Sequence, residues 1–312
     1  MKESAHAAIL DRETPAAQVK EQLTPQLDLL ADLAAYGSNL VVRAYNSSPQ
    51  QMAELIVCGV LLKQVVAMID ATHVLLSAGC GHAAHLPMRT AWEASLYLDW
   101  ILSGNSERRA TCYFVGNYRD ERRWADRVTP GTLEEAAFSP IAKAIGLDFQ
   151  TERPTLAADA TSRRAEVDRI LAQPELQAID AEFQQLRGNK RKRDPEWYEL
   201  DGMKSIRDIA KSLDRLAEYE AFYSKGSQVT HTGTYKDHLH FAEGNVHFKP
   251  IRHLADANQL LTVIVVIAMK TYERVLTCYR PGEVPALMKK YRDDWRQPHL
   301  HATSLNVKFE AA

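Results

Sequence analysis

The chain has 312 residues, of which 46% are hydrophobic and 25% are charged, so it can bury the core of one large domain or of two modest ones. Its net charge of −2 excludes a global field that would draw the whole chain to nucleic acid or to a membrane. Its four cysteines show no C-x-x-C spacing, and no apolar signal segment opens the sequence, so we expect free thiols in a reducing cytoplasm.

The first part of the chain predicts long helices. Residues 1–24 form a polar, flexible lead-in, and residues 25–131 form the first half of a helical core. Ser48 and Pro49 open a helix that is apolar nearly all round until Gly79. A further helix covers residues 82–102, and Asn105 and Ser106 cap another that continues to about residue 128.

The second part predicts shorter helices and then a return to the core. Residues 132–195 contain several prolines and read as a helical insertion that ends in a basic loop. Residues 196–296 form the second half of the core, and residues 297–312 form a tail. Ser205 and Asp208 match a capping box, and the apolar run over residues 260–269 is too short for a membrane span. We expect no strand pair and no membrane contact. The predicted fold is an all-α, multi-helix bundle with long central helices and a peripheral helical insertion.

One polar stripe within the second half could carry chemistry. Tyr219, Tyr223, Ser227 and His231 recur every four residues, which places them along one face of a continuous helix. A hydroxyl beside an imidazole is the minimum for activating a nucleophile, but no third group stands at a fixed spacing and no G-x-S-x-G motif is present. The alternative is structural: Ser227 bonds a backbone carbonyl, and His231 packs at a helix end.

A charged pair on an earlier helix is a second candidate. Arg89 and Glu93 stand at i, i+4 on the face that also carries Leu96 and Trp100, so we expect them to be half-buried. Such a pair could belong to a functional site or could be a structural salt bridge between two helices.

Histidines are numerous, but they match no known metal motif. Five of them lie between residues 231 and 253, yet the chain has neither H-E-x-x-H nor the paired E-x-x-H of di-iron bundles. We therefore expect no metal and no cofactor, while a metal-dependent enzyme built on the loop over residues 231–253 stays an alternative.

Basic residues cluster in two places. The helix over residues 105–128 carries arginines at i, i+4 and i+8, and the loop that closes the insertion carries a second group. Both could contact phosphate backbones, although interleaved acidic residues would also make the row an ordinary solvated face. The candidate nucleic-acid-binding residues are Arg119, Arg123, Arg127, Lys190, Arg191, Lys192 and Arg193.

These residues resemble a known family in combination. Arg89, Trp92 and Glu93 on an early helix, followed by the segment from Tyr219 to His231, look like a bacterial all-helical family of unknown function. Its members carry an Arg-x-x-aromatic-Glu helix and a Tyr-x-x-x-Ser-x-x-x-His segment. That family is similar in general shape to HEPN-like bundles, many of which are metal-independent ribonucleases of toxin–antitoxin and phage-defence systems. In those proteins an R-x(4–6)-H motif acts on RNA across a dimer, whereas Lys225 stands six residues before His231 here.

The resemblance implies a function and a role in it for each candidate site residue. The chain would be an RNase-like enzyme of bacterial defence or regulation, with RNA or a nucleotide and a second copy of itself as partners. His231 would be the general acid or base, Ser227 and Tyr223 would position a phosphate oxygen, and Arg89 would neutralise developing charge while Glu93 holds it. The alternative is a non-catalytic bundle that binds nucleic acid, a nucleotide or a partner protein.

Overall fold

The computed structural model describes residues 9–47, 52–147, 151, 154–188, 194–231, 233–242 and 244–304. It confirms the predicted all-α fold class. The helices of the first part are α1 (Glu13–Gln22), α2 (Thr24–Ser47), α3 (Met52–Ser77), α4 (Gly81–Leu102), α5 (Ser106–Asp126), α6 (Leu133–Ala144), α7 (Pro154–Leu171) and α8 (Pro174–Arg187).

The later elements are shorter until the long helix α12. After a 3₁₀ turn at Trp197–Asp201 come α9 (Ile206–Ser212), α10 (Leu216–Glu218), a π-helical turn (Tyr219–Tyr223) and α11 (Ser224–Thr230). A second 3₁₀ turn (Tyr235–His238), two strands, α12 (Ala257–Tyr279), α13 (Val284–Lys290), a second π-helical turn (Tyr291–Trp295) and α14 (Arg296–Ser304) follow.

The chain forms two compact units. The first comprises Met1–Gln50, Cys58–Ser103 and Ile209–Ala312, and the second comprises Gln51–Val57 and Gly104–Asp208. Helix α5 therefore belongs with the helices that we expected to form a separate insertion, rather than with the first half of the core.

The first unit is built around α12, which packs against α4, α2 and α14. Tyr272 on α12 is fully buried and donates a hydrogen bond of 2.8 Å to the carbonyl oxygen of Leu33 on α2. This approach is close because Gly37 has no side chain: a Cβ there would lie 2.2 Å from the Tyr272 hydroxyl. Helix α3 contains the one described segment that is long and apolar enough to cross a membrane, and 44% of its most apolar window is buried within the protein.

The second unit is built around α5, which packs against α7, α8 and the 3₁₀ turn at Trp197–Asp201. The predicted start of α5 is confirmed, because the Asn105 side chain accepts a hydrogen bond from the backbone N–H of Arg108. Ser205 caps α9 as predicted, since its hydroxyl accepts from the N–H of Asp208 at 3.1 Å.

The expectation of no strand pair is wrong at one place. Strands β1 (Leu239–Ala242) and β2 (Asn245–Phe248) form an antiparallel hairpin in which His240 is paired with His247. Gly244 in the turn has a φ of +78°, a conformation that favours glycine. The alternation of apolar residues covers only four positions on each side, which is too short to separate from a loop by pattern alone.

Candidate functional site

Arg89 is the centre of the candidate site in the first unit. Its Nη2 donates a hydrogen bond of 2.9 Å to the hydroxyl of Tyr223, and its Nη1 lies 3.4 Å from the hydroxyl of Thr230. The guanidinium carbon is 4.6 Å from the centre of the Tyr223 ring. Arg89 and Tyr223, which the sequence analysis placed in one candidate site, are thus in direct contact.

Helix α11 can approach α4 this closely because of a glycine. Gly226 is buried, and a Cβ at that position would lie 2.6 Å from the Cβ of Arg89. The π-helical turn before α11 stacks the rings of Tyr219 and Tyr223 at 5.1 Å, with 21° between their planes. Trp92, one turn after Arg89, packs against both rings, so Tyr223 is held between a tryptophan and a guanidinium.

The charge of Arg89 is not neutralised by an acidic residue among those that the structure describes. Its hydrogen bonds go to two neutral hydroxyls, and its Nε is buried without a hydrogen-bond partner in the same set of residues. The i, i+4 pair expected between Arg89 and Glu93 does not form, and Glu93 has an interaction elsewhere. Within the described residues the Arg89 guanidinium contacts Tyr223 and Thr230 rather than Glu93.

Ser227 and His231 lie beside this contact but do not join it. His231 is the C-cap of α11, and its backbone N–H donates to the carbonyl oxygen of Ser227 at 3.0 Å. Within the described residues neither the Ser227 hydroxyl nor the His231 imidazole has a hydrogen-bond or ion-pair partner. His231 is exposed and directly follows Thr230 in the chain.

A buried network next to this site escaped the sequence analysis. Arg215, whose side chain is 4% exposed, donates to the carboxylate of Glu218 from Nε at 3.0 Å and from Nη2 at 2.8 Å. Glu218 also accepts from the indole N–H of Trp92 at 2.9 Å and forms an ion pair with Lys270. Burial raises the pKa of Glu218, but these donors outweigh it and hold the pKa below its usual range.

The network continues along α4 through Ser95 and Asp99. Asp99 lies 3.6 Å from Arg215 and 3.2 Å from Arg274. The Ser95 hydroxyl accepts from Thr271 at 2.8 Å and is 3.4 Å from Arg215. Arg215 thus lies near two carboxylates, whereas the guanidinium of Arg89 contacts two hydroxyls.

Four imidazoles cluster near the start of α4. The ring centre of His82 lies 4.7 Å from that of His238, 6.3 Å from that of His253 and 6.4 Å from that of His85. Burial lowers the pKa of His82, and His238 and His85 lower it further. Burial also lowers the pKa of His253 to about 4.

The cluster has an acidic neighbour but no metal geometry. His85 is fully buried, and its Nε2 lies 3.5 Å from a carboxylate oxygen of Asp256. Contact with His85 holds the pKa of Asp256 at about 2. Among the residues that the structure describes, no three His, Cys, Asp or Glu side chains are arranged to hold a metal ion. The alternative of a metal site over residues 231–253 therefore gains no support from the described part of that loop.

The first residue of the predicted cationic row on α5, Arg119, is not available to bind nucleic acid. Arg119 is 4% exposed and forms ion pairs with Asp180 and, at 2.9 Å, with Asp194, so it cannot contact a phosphate backbone without leaving two carboxylates. Arg123 is paired with Asp120, and Arg127 stacks on Trp124. The second predicted patch, Lys190, Arg191, Lys192 and Arg193, lies outside the described residues.

Residues 55–246 match the sequence profile of a family of unknown function, DUF5677. The chain belongs to this family. The predicted membership of an all-helical family of unknown function is confirmed. Comparison with curated proteins and comparison with solved structures each gave no match.

The part of the chain that matches DUF5677 contains the whole Arg89 contact. Arg89, Tyr223 and Thr230 lie inside it, as do Glu218 and Trp92. Helix α12, which supplies Lys270, Thr271 and Arg274 to the buried network, begins after the match ends. The residues of the Arg89 contact therefore lie entirely within the DUF5677 segment.

Proposed function

We propose that this DUF5677 chain is a metal-independent, RNase-like enzyme that acts on RNA phosphates and has a HEPN-like role in bacterial defence or regulation. One observation carries the proposal. Arg89 is held in place by the hydroxyls of Tyr223 and Thr230 and lacks a carboxylate partner within the described residues. A fixed guanidinium whose charge is not compensated is suited to bind a phosphate.

The site residues can be given roles in RNA transesterification. The 2′-hydroxyl oxygen attacks phosphorus and the bond from phosphorus to the 5′ oxygen breaks, which gives a 2′,3′-cyclic phosphate and a 5′-hydroxyl. Arg89 would bind the non-bridging oxygens, on which charge develops. The hydroxyls of Tyr223 and Ser227 would donate hydrogen bonds to the same oxygens.

His231 would supply the proton transfer. A neutral imidazole takes the proton of the 2′-hydroxyl, and an imidazolium gives a proton to the leaving 5′ oxygen. One His231 can perform one of these steps at a time, so a homodimer that presents two copies would supply both. We propose such a dimer, in the cytoplasm, where free thiols such as the four of this chain persist.

The proposal is tested by incubating the full chain with end-labelled RNA in the presence of EDTA. We expect cleavage that leaves 2′,3′-cyclic phosphate ends. Arg89→Met should lower the rate about 10²–10³-fold through lost charge stabilisation, and His231→Ala about 10²–10⁴-fold through lost proton transfer. His247→Ala is the matched control, because His247 is also exposed and lies on β2.

The alternatives give different results in the same assay. RNA binding that weakens steeply with salt, without cleavage, would support the non-catalytic bundle. Cleavage that EDTA abolishes would support the metal-dependent enzyme. Cleavage that His231→Ala and His247→Ala leave equally unchanged would refute the role of His231.

A further inference from the structure

The second unit contains a cavity that the proposed function does not use. Its volume is about 630 Å³, which lies within the range of small-molecule sites. Helices α5, α6 and α7 bound it. The apolar lining residues are Trp124, Ala125, Val128, Phe138, Leu156 and Ala160.

Trp124 is the exceptional member of this lining. Its side chain is 65% exposed although it sits at a concave apolar surface. Leu156, on the α7 side, is 42% exposed. Indole and leucine surfaces left open inside a cavity of this size offer a place where a flat apolar ring would be removed from water.

Arg127 gives the cavity a fixed positive charge. Its guanidinium carbon is 3.9 Å from the centre of the Trp124 ring and 5.8 Å from that of Phe138. The neighbouring arginines are neutralised: Arg122 lies 3.5 Å from Asp168, and Arg123 is paired with Asp120. For Arg127 the described residues provide aromatic faces and no carboxylate in ion-pair range.

The other charged residues that line the cavity do not neutralise the positive charge of Arg127. Glu121 forms an ion pair with Arg163, so those two charges compensate each other. Asp159 is exposed on α7 and is therefore solvated. An anionic group that enters the cavity finds its uncompensated partner at Arg127.

We propose that this cavity binds a planar aromatic ligand that carries one anionic group. The ring stacks on Trp124 and contacts Phe138 and Leu156, and the anion pairs with Arg127. A concave site walled by two alanines, Ala125 and Ala160, suits a small molecule, whereas a protein partner would need a broader face. The proposal is independent of the Arg89 site.

The probe is 8-anilinonaphthalene-1-sulfonate (ANS), an aromatic anion whose fluorescence rises in apolar sites. It is compared with N-phenyl-1-naphthylamine, which has the same rings without the sulfonate. We expect the full chain to bind ANS saturably with one site. Ala160→Phe fills the cavity and should weaken ANS binding at least about tenfold. Ala158→Phe, on the exposed side of α7, is the matched control and should leave the affinity unchanged.

The charge is tested separately from the shape. Arg127→Met keeps the length of the side chain and should weaken ANS binding about 3–10-fold, while binding of N-phenyl-1-naphthylamine stays the same. Arg123→Met, one turn earlier on α5, should change neither. Circular dichroism of each variant verifies that the helices are intact.

Competition identifies the source of the anion. Displacement of ANS by adenosine 5′-monophosphate supports a nucleotide phosphate, and displacement by 1-naphthoate alone supports an aromatic carboxylate. Displacement by neither at millimolar concentration would overturn the proposal. Equal effects of Ala160→Phe and Ala158→Phe would also overturn it.

One further surface could bind ANS, and it has its own control. The outer face of α6 exposes Leu133, Ile141 and, at its C-cap, Ile145, by 86%, 60% and 69%. Loss of ANS binding in Ile141→Ser would show that ANS binds to the outer face of α6 and would refute the cavity as its binding site. Unchanged binding in Ile141→Ser is the expected result.

Discussion

The substitution Glu218→Gln tests the buried network beside the Arg89 site. It keeps the shape of the side chain and removes one negative charge from a position where Arg215, Trp92 and Lys270 all donate to it. Arg215 is 4% exposed and would be left with Asp99, at 3.6 Å, as its acidic partner in the described chain. Removing one partner of a buried ion pair costs about 3–5 kcal/mol. We expect Glu218→Gln to lower the free energy of unfolding by about 3 kcal/mol, because the amide oxygen still accepts one hydrogen bond.

Urea unfolding at pH 7, followed by circular dichroism and tryptophan fluorescence, measures this loss. Glu273→Gln, which removes an exposed carboxylate from α12, is the control and should change stability by less than about 0.5 kcal/mol. The folded-state pKa of Glu218 is lowered, so its contribution is complete above the unfolded pKa and is lost as the pH falls through the folded pKa. The difference in stability between the two proteins should therefore begin to shrink as the pH falls below about 4, and it should vanish only below the folded pKa of Glu218. A loss under 0.5 kcal/mol at pH 7, or a difference that is constant with pH, would refute the reasoning.

Three further outcomes follow from the same contacts. His253 has a folded pKa of about 4 against an ordinary 6.5, so the free energy of unfolding should fall as the pH drops from 6.5 toward 4, by about 2 kcal/mol at pH 5. His253→Asn should flatten this pH dependence in urea titrations. Gly226→Ala should displace Arg89 and reduce RNA binding or cleavage while the helical circular dichroism signal stays near that of the wild type. RNA binding or cleavage at the wild-type level would contradict the close approach of Gly226 to Arg89. Arg119→Met should lower the urea midpoint clearly while Arg123→Met changes it little, and the reverse order would contradict the burial of Arg119.

Much of the helical framework could be predicted because its signals are local. The N-caps at Asn105 and Ser205 use groups within three residues of each other, and the side chain of each accepts the expected backbone hydrogen bond. The helix from Ala257 to Tyr279 follows from apolar spacing within a single segment. Such features require no knowledge of what the rest of the chain does.

The sequence could not show which arginines are buried in ion pairs and which are exposed, because the partners of the buried ones are distant along the chain. Arg119 and Arg123 look equivalent on α5. The difference is that Arg119 meets Asp180 and Asp194, which are 61 and 75 residues away, while Arg123 pairs with a neighbour three residues earlier. The same holds for Arg215, whose contact with Ser95 spans 120 residues. Local charge patterns do not tell a buried arginine from a solvated one, so only tertiary packing separates these three positions.

The Tyr–Ser–His stripe was predicted as one continuous helix face, and its geometry differs for two local reasons. A π-helical turn at Tyr219–Tyr223 changes the angular step between the two tyrosines, and α11 ends at Thr230 with His231 as its cap. Single π turns inside helices are rare and often lie at functional sites. No residue pattern in the segment distinguishes this turn from an ordinary helical one.

The contrast between Arg89 on α4 and Arg215, which contacts Ser95 of α4, is the strongest argument for a ligand at Arg89. Arg215 has carboxylates on two sides, as a buried structural guanidinium requires. Arg89 has Glu93 one helical turn later, at the i, i+4 spacing of an intrahelical ion pair, yet its guanidinium extends to Tyr223 and Thr230. The two hydroxyls that Arg89 contacts are neutral, so they leave its charge uncompensated. The hydrogen bond to Tyr223 fixes the direction of the guanidinium while its positive charge is kept, and this arrangement supports the proposal that Arg89 binds an anionic ligand.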